Sequence, residues 1–94
     1  MKRSEVIILK KALKEIEKLP RNIVDSLMTW INSVEEEGIR EIRKISGYHD
    51  EPLKGDRAGQ RSVKLNKAYR AIYVMTDEGE IELVTIIEVN KHKY

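Results

Sequence analysis

Along the first forty residues the apolar positions recur at steps of three and four. Leu9, Ala12, Leu13, Ile16 and Leu19 fall on one face of a helix, with Lys10, Lys11, Lys14, Glu15 and Lys18 turned toward water. Pro20 ends that helix or opens the next, and Ile23, Leu27, Trp30, Ile31 and Val34 make a second stripe. The acidic run Glu35-Glu36-Glu37 and then Gly38, suited to the left-handed position past a helix end, close it. Carboxylates at a helix C-terminus oppose the macrodipole, so a frayed last turn or an earlier end is expected. The pattern predicts two antiparallel helices within residues 9 to 37. Val6-Ile7-Ile8-Leu9 leaves a second reading open, a short edge strand near 5–9, because β-branched residues in a row favour extended chain.

Past residue 60 the period drops to two. Val63 and Leu65 alternate with Ser62, Lys64 and Asn66; Tyr69, Ala71 and Tyr73 alternate with Arg70, Ile72 and Val74; a β-rich run follows from Ile81 to Val89. Three strands are predicted, near 60–66, 69–76 and 81–89. Asn66-Lys67-Ala68 is short enough to turn one antiparallel pair, and Asp77-Glu78-Gly79 is a hairpin signal. The middle strand is apolar on both faces and so is expected at the centre. Between helices and strands, residues 39 to 59 form a long connection containing Gly47, Pro52, Gly55 and Gly59, of the kind that carries function. The expected class is α+β: two N-terminal helices on a small antiparallel sheet, one domain over 1–94.

Composition narrows the chemistry. The 94 residues suffice for one core, and the absence of cysteine rules out a disulfide framework or thiolate zinc site. Two histidines far apart in sequence make poor metal ligands, so no metal and no cofactor are expected. No apolar stretch approaches the roughly 20 residues of a membrane span or forms a secretory signal, which leads to the expectation of a cytoplasmic protein without a membrane partner.

The formal charge is only +2, yet between Lys54 and Arg70 six basic residues (Lys54, Arg57, Arg61, Lys64, Lys67, Arg70) stand against one acidic residue, Asp56. Positive charge placed in this way suggests a polyanion. An RNA phosphodiester can be cleaved without metal if a base deprotonates the 2′-hydroxyl, cations stabilise the phosphorane and an acid protonates the leaving 5′-oxygen. Arginine and lysine meet the second need, and a histidine such as His92, with an unperturbed pKa of about 6.5, is suited to give and take a proton near neutrality. Glu51 or a lysine of lowered pKa could be its counterpart.

The stretches Glu51-Pro52-Leu53-Lys54-Gly55, Gly59-Gln60-Arg61-Ser62-Val63-Lys64-Leu65, Ala68-Tyr69-Arg70-Ala71-Ile72-Tyr73 and Glu88-Val89-Asn90-Lys91-His92-Lys93-Tyr94 together resemble the RelE/ParE superfamily of toxin-antitoxin toxins, especially its RelE, YoeB and HigB-like mRNA interferases. Residues 10 to 20 also resemble the first helix of that family. The resemblance implies a RelE-like fold, cleavage of mRNA in the ribosomal A site, and a cognate antitoxin as partner. It implies Arg70 as the arginine on the scissile phosphate, Lys64 as a catalytic lysine, Glu51 as candidate general base and His92 as proton donor, with Tyr94 at the chain end. Where RelE has a second lysine this chain has Ser62, and where YoeB has tyrosine directly after the histidine, Lys93 intervenes before Tyr94.

Each residue has a plainer role beside the functional one. Lys64 reads equally well as the solvated side of an alternating strand, Glu51 as an exposed loop carboxylate, and His49 as a loop-stabilising or partner-contacting residue. Lys54, Arg57, Arg61, Lys67 and Lys91 are candidate RNA contacts, or else a solvated surface or an antitoxin-docking patch. Two function classes follow: a ribosome-dependent endoribonuclease, or a ParE-like gyrase-inhibiting toxin or non-catalytic antitoxin-binding module.

Overall fold

The computed structural model describes residues 2 to 91. Strand β1 (Arg3–Ile8) is followed by helices α1 (Lys10–Ile16), α2 (Arg21–Glu37) and α3 (Ile39–Ile42), then by strands β2 (Glu51–Pro52), β3 (Arg61–Lys64), β4 (Tyr69–Asp77) and β5 (Ile81–Lys91). The class is α+β, as the change of period predicts. The strands form one sheet in the order β1-β5-β4-β3-β2, with β4 in the middle.

The N-terminal apolar run is a strand, and it corrects the expectation of a wholly antiparallel sheet. β1 runs parallel to β5, with Val6 opposite Val84 and Ile8 opposite Ile86, while β2 to β5 pair antiparallel. A parallel pair needs a long crossover, and here the rest of the chain supplies it. The outer edge of β1 is guarded by α2, where the Val6 amide donates to Glu35 Oε2 at 3.1 Å. That contact uses the acidic run, and α2 continues through Glu37, the bound the apolar pattern gives, without an earlier end.

One sheet face carries the core. Val63, Leu65, Ala71, Tyr73, Val84, Ile86 and Val89 meet Ile23, Leu27, Trp30, Ile31 and Val34 of α2 and Ile39 and Ile42 of α3. Trp30 is fully buried, its ring 5.4 Å from that of Tyr73. The predicted helical hairpin does not form as a layer. α2 lies on β1 and α3, whereas α1 sits against β5. Being short and at the side of the sheet, α1 offers the core only a narrow edge: Ala12 is buried, but Leu9 and Leu13 stay 44% and 50% exposed. The turn of helix at Ile39–Ile42 lies in what the sequence presents as connection. Gly38 has positive φ (+91°) as expected, but ψ of 145° makes it an extended corner rather than a left-handed cap. That corner delivers the Ile39 amide to the buried Ser4 hydroxyl at 2.9 Å.

Both predicted turns form. Asn66 Oδ1 accepts the amides of Ala68 and Tyr69 at 2.7 and 2.8 Å, and Asp77 Oδ1 accepts the amide of Gly79 at 3.0 Å. The β4–β5 ladder is interrupted once. Ile72 pairs with Glu88 and Tyr73 with Ile86, which leaves Ile87 as an extra residue. Straight alternation from Val84 and Ile86 would turn Glu88 into the core; the bulge reverses the phase, so that Val89 points inward and Glu88 outward.

Candidate phosphate-binding groove

Opposite the core, the sheet presents polar side chains in rows set by register. One row runs Glu51, Ser62, Ile72, Glu88, and the next Lys64, Arg70, Asn90. A groove of about 580 Å³ lies over them, floored by Ser62, Arg70, Ile72, Glu88 and Asn90, walled by Glu15 of α1 on one side and by Leu53 and Arg57 on the other, and reaching Lys91.

Arg70 is central. Its Nη1 donates to Ser62 Oγ at 3.3 Å, and among the described residues no carboxylate lies within salt-bridge distance of it. Ser62 thus steadies the arginine. Arg57 behaves differently. Its Nε donates to Gln60 and its Nη2 to Glu88 Oε1 at 2.9 Å, with Lys11 Nζ 3.6 Å from the same oxygen. The Arg57 hydrogen bond, aided by Asn90 Nδ2 and by the Lys11 charge, holds the Glu88 carboxyl below the ordinary carboxylate range against partial burial. The groove therefore contains its own anion. Glu15 completes the wall and accepts the Val89 amide at 2.9 Å, pinning α1 to β5.

Of the residues expected at the site, Arg70, Arg57 and Lys91 line the groove. Lys64 stands opposite Arg70 in the ladder and borders a second hollow formed with Ile45, Gly47, Tyr48 and Leu65. Glu51 is exposed at the outer end of its row, beside Ser62 and outside the immediate lining. Lys54 and Lys67 are exposed on loops. His92 and Tyr94 lie outside the described residues.

Arg61 departs from the expectation of an RNA contact. Alternation in β3 sends it, with Val63, to the helix-bearing face, where its Nε donates to Asp50 Oδ1 at 2.6 Å. Burial works against the charge of Arg61, but the Asp50 hydrogen bond and charge prevail and raise its pKa. Asp50 Oδ2 accepts from the Tyr73 hydroxyl at 2.7 Å, and that hydroxyl accepts from Arg43 Nε at 3.1 Å. Burial first, then the bond to Asp50, pushes the Tyr73 phenol well above its usual range.

Glu88, Asn90, Glu15 and Lys11 were not expected in the site. For Glu88 the available signal was Ile86-Ile87 before it, two β-branched residues where strict alternation would place a polar one.

The mixed five-stranded sheet with its helices is a fold shared with solved toxins of the RelE and YoeB type. A YoeB/ParE toxin from Agrobacterium tumefaciens matches with a TM-score of 0.73 at 18% identity, over 95% of this chain and 99% of that one. The toxin-antitoxin complex RelBE2 from Mycobacterium tuberculosis matches at 0.69 and 24%, over 94% and 96%, and the archaeal RelE-RelB complex from Pyrococcus horikoshii OT3 at 0.69 and 19%, over 97% and 96%. No family model matches the chain, and no curated protein matches it in sequence.

Proposed function

We propose that this protein is the toxin of a type II toxin-antitoxin pair, a ribosome-dependent endoribonuclease that cleaves mRNA and so halts translation in the cytoplasm. The observation that carries the reading is Arg70: a guanidinium at the floor of a groove, held by a neutral hydroxyl rather than a carboxylate, with Lys64 beside it in the same row. A cation left in this way is available to a phosphate.

In this reading Arg70 and Lys64 hold the scissile phosphate and its developing charge. Glu51 takes the proton of the 2′-hydroxyl as the 2′-oxygen bonds to phosphorus. The bond from phosphorus to the 5′-oxygen breaks, and His92 gives that oxygen a proton, leaving a 2′,3′-cyclic phosphate and a 5′-hydroxyl. Tyr94 is the further candidate for the proton-transfer step, while Lys54, Arg57, Lys67 and Lys91 contact the flanking backbone. A cognate antitoxin is the expected protein partner, in keeping with the RelBE2 and RelE-RelB complexes of like fold.

Induced expression followed by primer extension on cellular mRNA tests the reading. Wild type is expected to arrest growth and leave discrete 5′ ends within coding sequence. Arg70→Ala should do neither while keeping its cooperative thermal transition, because an arginine whose one side-chain bond among the described residues is to a hydroxyl contributes little to folding. Growth arrest with intact mRNA and inhibited gyrase would contradict it.

A further inference from the structure

His49 and Asp50 belong to no part of the groove, yet one has an unusual backbone conformation and the other is a buried anchor. His49 is the only non-glycine residue with positive φ (44°) among the described residues. Immediately after it, the Asp50 side chain is 1% exposed and receives donors from two strands: Arg61 Nε of β3 at 2.6 Å and Tyr73 hydroxyl of β4 at 2.7 Å. Arg61 Nη2 also reaches the Asp50 carbonyl oxygen at 3.3 Å, and Arg43, which follows α3, ties Tyr73 into the same chain. A left-handed non-glycine residue persists where its surroundings over-determine it, and the anchored Asp50 supplies that constraint.

The next residue in sequence is Glu51. Successive side chains of extended backbone point to opposite faces, so a carboxylate drawn to the helix side at 50 directs the one at 51 to the groove side. Register confirms the phase, since Glu51 pairs with Ser62, the residue that holds Arg70. β2 is only two residues long, and its two pairings, with one further bond from the Leu53 amide to the Gln60 carbonyl at 2.8 Å, make a short ladder. The anchored Asp50 adjoins it on the N-terminal side.

We propose that Asp50 is a positioning residue, whose buried contacts to Arg61 and Tyr73 hold Glu51 at the edge of the groove in line with Ser62, the residue that holds Arg70. The inference rests on the reading of Glu51 as the base. Asp50 touches no substrate and acts only through its neighbour.

The test is a double-mutant cycle on single-turnover cleavage of ribosome-bound mRNA, using Asp50→Asn, Glu51→Gln and the double variant, with ribosome affinity and thermal midpoint measured on each. Asp50→Asn is expected to slow cleavage about ten- to a hundredfold, the scale of a displaced catalytic group, with ribosome affinity unchanged. The double variant is expected to cleave no more slowly than Glu51→Gln alone. Losses that multiply in the double variant, or wild-type cleavage by Asp50→Asn, overturn the positioning role and leave the endoribonuclease reading standing. Wild-type cleavage by Glu51→Gln removes the base assignment, and this inference with it. Should Asp50→Asn lack a cooperative transition, Tyr73→Phe replaces it in the cycle: it deletes one bond to Asp50 and keeps Arg61, and the same non-multiplicative outcome is expected.

Discussion

Replacing Glu88 with glutamine should strengthen RNA binding, although it removes an interaction that the native protein makes. The Glu88 carboxylate lies in the groove, 2.9 Å from Arg57 Nη2 and 3.6 Å from Lys11 Nζ, so a phosphate entering beside Arg57 meets a like charge on the order of 6 Å away. Coulomb's law gives a repulsion of about 0.7 kcal/mol with a water-like dielectric and about 3 kcal/mol at an effective value near 20. The groove is open to solvent, and screening favours the lower end. About 1 kcal/mol of relief corresponds to roughly fivefold tighter binding. Arg57, released from Glu88, becomes one more cation for the backbone, which should steepen the dependence of log Kd on log salt by about 0.7. The loss of folding stability should stay within about 1 kcal/mol, the usual worth of solvent-accessible ion pairs. The assay is fluorescence anisotropy of a labelled single-stranded oligoribonucleotide, titrated at several salt concentrations. An unchanged Kd and slope, or weaker binding, would mean that RNA does not run past Arg57 and Glu88.

Two further perturbations address the fold and its acid limit. Gly38→Ala should lower stability by about 1–3 kcal/mol in urea unfolding, because φ of +91° strains any L side chain while the space for a Cβ is ordinary, the nearest atom being Lys2 carbonyl oxygen at 3.7 Å; an unchanged midpoint would show that the corner relaxes. Glu88, whose carboxyl is held low by Arg57, contributes stability above its unfolded value of about 4.3, and that contribution disappears as pH falls through the lower folded value. Wild type should therefore lose more stability than Glu88→Gln between about pH 6 and pH 3, and equal losses would remove the ion pair from the account.

The elements with a long, regular period were legible in the sequence, namely α2, β4, β5 and both hairpin turns. What escaped depended on tertiary register. The parallel pairing of β1 cannot be read from Val6-Ile7-Ile8, which reports extended chain and not direction. Leu9 and Leu13 keep a helical spacing with the core residues of α1, yet stay exposed because a short helix at the side of the sheet buries only one edge. A count of cations grouped Arg61 with Arg57 and Arg70, but a strand sends alternate residues to opposite faces, and Asp50, the partner that claims Arg61, lies eleven positions away. Glu88 was hidden by the bulge at Ile87, which changes the face of every later residue in β5. The resemblance carried by residues 51–55, 59–65 and 68–73 singled out Arg70, Lys64 and Glu51, but that they share one sheet face comes from the register and not from the sequence.

The most direct test of the central claim is single-turnover cleavage of ribosome-bound mRNA in the presence of a metal chelator, with the ends of the products identified chemically. The account predicts fragments ending in a 2′,3′-cyclic phosphate and beginning with a 5′-hydroxyl, and a rate reduced about a hundred- to a thousandfold in Arg70→Ala, the scale for losing one transition-state donor. Fragments with a 3′-hydroxyl and 5′-phosphate, or cleavage at the wild-type rate by Arg70→Ala, would contradict it.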